Sequence, residues 1–113
     1  ICQSALTPAH LAAANVPDDT PIATTEGLRE FSRAILGNEP ELDITLAERD
    51  NIEAAHQLAR QPDVGAIILE CTNMAPYAAA ISAATGLPVF SAYNFICWFQ
   101  SGLMPAPFTG EIK

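Results

Sequence analysis

The residues best suited to chemistry form one short run, Glu70, Cys71, Thr72 and Asn73, directly after an uncharged segment. That segment lacks polar–apolar alternation, which predicts a strand over 65–70 that is buried on both faces of a parallel sheet. Ligands of open α/β sheets bind beyond the carboxyl ends of the strands, where this run lies. Cys71 is therefore a candidate general base or nucleophile at the ligand-binding edge of a sheet.

A helix is predicted to begin just after the thiol. Proline is tolerated within the first turn of a helix but not beyond it, so Pro76 favours Asn73 over Thr72 as the N-cap. A helix N-terminus has free N–H groups and the positive end of the helix dipole, and both favour a thiolate. The N–H groups of Thr72, Asn73 and Met74 are also predicted to bind a substrate carboxylate.

The competing interpretation is that Cys71 is structural, because free cysteine is among the most often buried residue types. Cys97 lies in an apolar stretch and is assigned a structural role. Glu70 is not predicted to act as the base, since strand alternation directs its side chain away from Cys71. Two histidines are assigned to helices rather than to a site, one in a first turn and one on a solvated face: His10 and His56.

The composition of the 113 residues indicates one domain, and it excludes several functions. The net charge is −8, with 13 acidic and 5 basic residues, which argues against nucleic-acid binding and against a basic membrane-surface helix. No apolar run approaches the ~20 residues of a membrane span. Three widely spaced cysteines do not form a disulfide framework or a zinc motif, so free thiols and a cytoplasmic location are expected.

Helix and strand patterns alternate along the chain. The first predicted helix runs from the Thr7 cap to near Asn15. Further helices are predicted over 27–36, over 43–60, after the Asn73 cap and over 93–99. The predicted strands are 21–25, 65–70 and 87–90. In the helix over 43–60, Asp43 is predicted to be the cap, while Asp50 is predicted to be solvated. Alternation of this kind predicts an α/β fold, a three-layer αβα arrangement with a short, mostly parallel sheet.

The stretch GAIILECTNMAPYAAAISAATGLPVF, residues 65–90, resembles the C-terminal half of the aspartate/glutamate racemase superfamily. That group includes hydantoin racemases, maleate isomerases and arylmalonate decarboxylases. LTPAHLAAANV, residues 6–16, resembles the helix after the first strand of the second half, and WFQSGL, residues 98–103, its final helix. The resemblance implies that residues 1–113 are the second lobe of a two-lobe enzyme, truncated at its N-terminus.

The resemblance also implies a mechanism without a metal or pyridoxal cofactor. In this family, one thiolate removes the proton next to a carboxylate or carbonyl, and a second thiol returns a proton from the opposite face. Cys71 corresponds to the second-lobe cysteine, and Thr72 and Asn73 correspond to residues that hold the substrate carboxylate. The expected function is therefore that of a racemase or isomerase acting on an amino acid or hydantoin-like substrate.

The sequence departs from the family pattern at several positions. Asn73 replaces a histidine typical of glutamate racemases, and Pro76 comes one place later than the family proline. Ser91 stands where relatives often carry an aspartate. The first-lobe cysteine is not in the chain, and the context of Cys2 does not match it.

These departures leave two alternatives, and each can be tested. One is an arylmalonate-type decarboxylase, which needs a single cysteine. The other is a non-catalytic domain that binds a small acid or a protein. The expected partners are a small carboxylate-bearing substrate, the missing N-terminal lobe and a second subunit of a homo-oligomer, the last two because the apolar helix around Phe95 and Trp98 suggests a covered surface.

Overall fold

A computed structural model of the protein describes residues 2–27, 30–108 and 110. The helices are α1 (Pro8–Ala13), α2 (Phe31–Leu36), α3 (Ile44–Ala59), α4 (Ala78–Thr85) and α5 (Ala92–Leu103), the strands are β1 (Ile67–Leu69) and β2 (Val89–Ser91), and two 3-10 helices span Gln3–Ala5 and Thr72–Tyr77. None of the helices in this part of the chain has the length and hydropathy that a transmembrane segment requires.

The two strands form a parallel sheet joined by a helical crossover, which confirms the α/β fold class. Their register pairs Ile67 with Val89 and Leu69 with Ser91. The predicted strand over 21–25 is wrong, because this segment belongs to no sheet in the described residues. Thr25 is instead fully buried, and its carbonyl oxygen and hydroxyl accept hydrogen bonds from the Ser32 hydroxyl at 2.6 and 3.0 Å.

The core lies between one face of the sheet and helices α2, α3 and α4. Phe31 and Tyr77 meet edge to face at its centre, with 5.8 Å between ring centroids. The other buried members of this cluster are Ala47, Ala55, Ile67, Leu69 and Ile81. The crossover after β1 therefore begins on a packed scaffold, since Tyr77 closes the second 3-10 helix and is only 4% exposed.

Local capping signals place the helix starts as predicted. Thr7 precedes α1, and its N–H donates to Nδ1 of His10 at 3.1 Å, which confirms His10 as a first-turn residue. Asp43 caps α3, because its Oδ1 accepts a hydrogen bond from the N–H of Leu46 at 3.0 Å. The helix predicted over 27–36 begins only at Phe31, and its first predicted turn includes residues outside the described range.

The prediction that Asp50 is solvated is wrong. Asp50 is 4% exposed, and its Oδ2 accepts hydrogen bonds from the N–H groups of Glu30 and Phe31 at 2.8 and 2.9 Å. These are orphan donors at the start of α2, which have no acceptor within that helix. Asp50 is buried because α2 packs across α3 at this point, and the first N–H groups of α2 need a hydrogen-bond acceptor there.

The second face of the sheet is not covered by the described residues. Ile68 is 78% exposed and Phe90 is 54% exposed, so the prediction of a strand buried on both faces is wrong for β1. Helix α5 follows β2 and has no buried residue. A further layer over this face, the third layer of the predicted arrangement, stays a prediction.

Candidate functional site

The carboxyl ends of both strands lead into one groove. Since Leu69 and Ser91 are in register, the chain leaves both strands at the same edge of the sheet. β1 continues through Glu70 and Cys71 into the second 3-10 helix, and β2 continues directly into α5. Between these two helices lies a groove of about 440 Å³, and its lining residues are Thr72, Ala75, Pro76, Ala92, Tyr93 and Ile96. This is the edge at which ligands of open α/β sheets bind.

Cys71 lies between strand and helix next to this groove and is not among its lining residues. It is half-buried and extended, with φ −85° and ψ 130°, and it directly precedes Thr72, the first residue that lines the groove. Its carbonyl oxygen accepts a hydrogen bond from the N–H of Met74 at 3.0 Å. The described residues provide no hydrogen-bond partner for its thiol. The location that the sequence predicts for Cys71, a turn between strand and helix, is therefore observed, and its catalytic role stays a prediction.

The helix start differs from the prediction. The second 3-10 helix begins at Thr72, so Asn73 lies inside it and is not an N-cap. Pro76 is accommodated because the α-helical hydrogen bonds begin only later, with α4. Of the three amides predicted to bind a carboxylate, that of Met74 already donates to Cys71, whereas those of Thr72 and Asn73 have no acceptor among the described residues.

The opposite wall of the groove depends on a capping box at the start of α5. Ser91 is 8% exposed, and its N–H and hydroxyl donate to Oδ1 of Asn94 at 3.1 and 2.8 Å. This arrangement fixes the first turn of α5 and therefore the position of Tyr93. Ser91 thus acts as the helix cap of α5.

Sequence reasoning missed Tyr93 and Ile96 as residues of the site. The one sequence feature that could have identified them is their position just after the second strand, which ends at the same sheet edge as the strand before Cys71. Tyr93 is 66% exposed, and a hydrogen bond with the side chain of Cys97, followed by the electrostatic effect of that thiol, raises its pKa. Tyr93 is thus a neutral phenol at neutral pH. Cys97 is exposed rather than packed in a core.

Two other polar clusters lie outside the groove. The Cys2 thiol donates to the carboxylate of Glu26 at 3.3 Å, and Ser4 donates to the same carboxylate through its N–H at 3.0 Å and through its hydroxyl. A depression of about 210 Å³ runs along α3, and its lining residues belong to that helix or, for Arg60, to its C-cap. Neither cluster includes a residue of the strand ends, so we assign the site to the groove. No group of three metal-ligating side chains occurs in the described ranges.

Comparison with known proteins gives one named relative. No protein-family model matches the chain, and no solved structure gives a significant match. A dimethylsulfoniopropionate lyase of Durusdinium sp. clade D is 36% identical over 79 residues, which are 69% of this chain and 26% of that protein. The relative is a lyase. The chain thus spans about a quarter of the length of the curated relative that it matches.

This match corrects the family and the reaction predicted from the sequence. The resemblance to the aspartate/glutamate racemase superfamily is wrong as an identification, because the relative is named a lyase. The prediction of a racemase or isomerase is wrong for the same reason, and arylmalonate-type decarboxylation has no support. The roles of Cys71, Thr72 and Asn73, the assignment of residues 1–113 to a second lobe, and the partners stay predictions.

Proposed function

We propose that the chain forms part of a lyase that removes a proton next to a carboxylate and expels a leaving group from the adjacent carbon. The observation that carries this proposal is the position of Cys71, which lies at the sheet edge and directly precedes Thr72, the first lining residue of the groove. It is followed by two amides, those of Thr72 and Asn73, that have no acceptor among the described residues. The lyase relative supports the reaction type. We further propose a substrate of the kind named for that relative, dimethylsulfoniopropionate.

In this mechanism, the backbone amides of Thr72 and Asn73 bind the substrate carboxylate. Two neighbouring N–H groups that lack a protein acceptor are suited to a carboxylate, because a charged acceptor makes shorter and stronger hydrogen bonds. A carboxylate held here also becomes more negative when the adjacent carbon loses its proton. Donors that are already oriented stabilise this developing charge without reorganisation.

Cys71 provides the base in the elimination. Its thiolate takes the proton from the carbon next to the carboxylate, and the C–H electron pair becomes the new carbon–carbon double bond. The bond between the adjacent carbon and the sulfonium sulfur breaks, and its electron pair stays on sulfur. The products are acrylate, dimethyl sulfide and the protonated thiol, which then loses its proton to water. Elimination requires one base, so the single thiol of Cys71, next to the groove, suffices.

The test uses the full-length protein with dimethylsulfoniopropionate as the probe. We expect acrylate, followed by proton NMR, and dimethyl sulfide, followed by gas chromatography, to form in equal amounts. Cys71→Ala should lower kcat by about 10²- to 10⁴-fold, the usual contribution of a general base. The matched control is Cys2→Ala, which removes another free thiol outside the groove lining and should leave kcat within a factor of about two.

Two results would contradict the proposal. One is turnover in Cys71→Ala at the wild-type rate, which would assign the base to another residue. The other is a wild-type protein that folds and forms no acrylate from dimethylsulfoniopropionate. Elimination in deuterated water gives a further measure, since a reversible first step would exchange the proton next to the carboxylate in recovered substrate.

A further inference from the structure

The side chains that line the groove determine which chemical group of a ligand it can bind. None of the six lining side chains carries a charge: they are Thr72, Ala75, Pro76, Ala92, Tyr93 and Ile96. Tyr93 provides the only aromatic ring among them, and Ala92 and Ile96 provide aliphatic surface next to it. The groove therefore has an aromatic and aliphatic wall on α5 and a second wall on the 3-10 helix, where the Thr72 amide has no acceptor among the described residues.

A wall of this kind is poorly suited to a primary ammonium group. An ammonium has three N–H donors, and each needs an acceptor when it leaves water. The lining offers only two hydroxyl groups as side-chain acceptors, on Thr72 and Tyr93. A methylated onium group has no donors, spreads its charge over its methyl groups and binds to the faces of aromatic rings. Its methyl groups can pack against Ile96 and Ala92 without an unpaired polar atom.

The surroundings of Tyr93 direct recognition to its ring. Cys97, one turn further along α5, raises the pKa of the Tyr93 phenol, so the hydroxyl carries no charge at neutral pH. The ring remains accessible, since Tyr93 is 66% exposed and lines the groove.

We propose that the ring of Tyr93 binds the positively charged, methylated end of the substrate, and that Tyr93 distinguishes onium compounds from uncharged molecules of the same shape. This inference rests on the proposed lyase function, which supplies the carboxylate anchor at the other wall. Tyr93 is then a specificity-determining residue. The ligand lies across the groove, with its carboxylate at the 3-10 helix and its onium group at α5.

The test compares two ligands that differ in charge alone. Dimethylsulfoniopropionate and 4-methylpentanoate have the same branched shape, with a sulfonium sulfur in the first where the second has a CH group. Their dissociation constants are measured by calorimetry in full-length protein that carries Cys71→Ala, which prevents turnover. We expect a preference of about 2- to 30-fold for the sulfonium compound, the range that a cation–π contact provides.

Substitutions at Tyr93 then separate the ring from the hydroxyl. Tyr93→Phe keeps the ring and should keep the preference, whereas Tyr93→Leu should reduce it to about one while 4-methylpentanoate still binds. The matched control is Phe95→Leu, which removes an exposed aromatic ring from the same helix outside the groove. Circular dichroism of each variant shows whether it is folded.

The outcomes distinguish this inference from the lyase proposal. A preference that survives Tyr93→Leu, or equal binding of the two ligands by the Tyr93 protein, would overturn the role of the ring. Failure to bind either ligand would overturn it as well. If the sulfonium compound binds through Tyr93 but the wild-type protein with Cys71 does not form acrylate, the lyase proposal fails and the onium site stands.

Discussion

Helices α3 and α5 show opposite relations between composition and burial. α3 buries two polar side chains, Asp50 and Asn51, whereas α5 contains Phe95, Trp98 and several other large apolar residues and buries none of them. Burial along this chain therefore follows the position of a helix in the fold rather than its hydropathy. The α3 side of the molecule is packed, and the buried polar side chains described there have hydrogen-bond partners. The α5 side has exposed apolar surface and the groove.

The two sides of this small domain therefore differ in role: one provides the packed core and the other the candidate site. The packed side stabilises the sheet and fixes the second 3-10 helix through Tyr77. The exposed side carries the groove, the unpartnered amides and the half-buried thiol. Functional groups that have no protein partner are available to a ligand, which is the reason that sites lie where the packing ends. Substitutions on the two sides should accordingly have different consequences.

The largest expected effect is a loss of stability when the core aromatic is truncated. Phe31 is fully buried and meets Tyr77 edge to face, so Phe31→Ala should lower the free energy of unfolding by about 3–5 kcal/mol. Phe95→Ala on α5 is the matched control, since Phe95 is 64% exposed, and it should change stability by less than about 0.5 kcal/mol. Urea denaturation of the 113-residue chain measures both. Equal losses would break the comparison and show that α5 is packed.

The next effect concerns the buried acid on α3. Asp50→Ala leaves the N–H groups of Glu30 and Phe31 without an acceptor in a buried place, which should cost about 1–3 kcal/mol. Hydrogen exchange at the Phe31 amide should become faster in the same variant. Glu53→Ala, an exposed acid on the same helix, should have little effect on either measurement. A loss for Glu53 as large as that for Asp50 would contradict the capping role.

Asp50 also shows where sequence reasoning fails. The caps at Thr7 and Asp43 were predictable because their hydrogen bonds reach only three residues along the chain. The burial of Asp50 depends on donors about twenty residues away, and no local pattern encodes how α2 packs against α3. The strand predicted over 21–25 fails for a related reason, since extended residues form a strand only when a partner strand lies beside them.

The candidate site likewise contains residues that could be predicted from the sequence and residues that could not. The position of Cys71 at a sheet edge was predictable, because the carboxyl ends of parallel strands are where α/β proteins bind ligands. Tyr93 was not predictable, since its role depends on which side of α5 faces the second 3-10 helix. The start of that helix was also missed. Pro76 excludes an early α-helix but is tolerated in a 3-10 helix, and composition does not distinguish the two.

A smaller effect is expected at the turn that joins the two sides. Gly86 follows α4 with φ +72°, a left-handed conformation that costs other residues about 1–2 kcal/mol. Gly86→Ala should therefore lower the unfolding free energy by about 1 kcal/mol. Gly65→Ala is the control, because Gly65 has no positive φ and an added Cβ meets no atom within 4 Å. If the two substitutions have the same effect, the turn before β2 is not constrained as described.

The smallest expected effect lies at the surface, where neither packing nor the groove contributes. Hydrogen bonds from Ser4, first from its side chain and then from its backbone, lower the pKa of Glu26 below its ordinary 4.5, and Cys2 adds to this effect. Because the folded pKa is the lower one, this contact stabilises the protein above pH 4.5, and the stabilisation is lost as the pH falls through the folded value. Thermal denaturation between pH 6 and pH 3 measures this loss, which Glu26→Gln should reduce.

Ser4→Ala is the matched variant for that measurement, since it removes the partner side chain and leaves the carboxylate in place. Both single substitutions should flatten the pH dependence, and the double substitution should flatten it no further, because the two side chains share one interaction. Additive effects would show that the Ser4 and Glu26 side chains act independently on the acid sensitivity. A pH dependence that neither substitution alters would assign the acid sensitivity to other carboxylates, with Glu30 as the next to test, because the backbone N–H of Asp43 and the side chain of Arg33 lower its pKa.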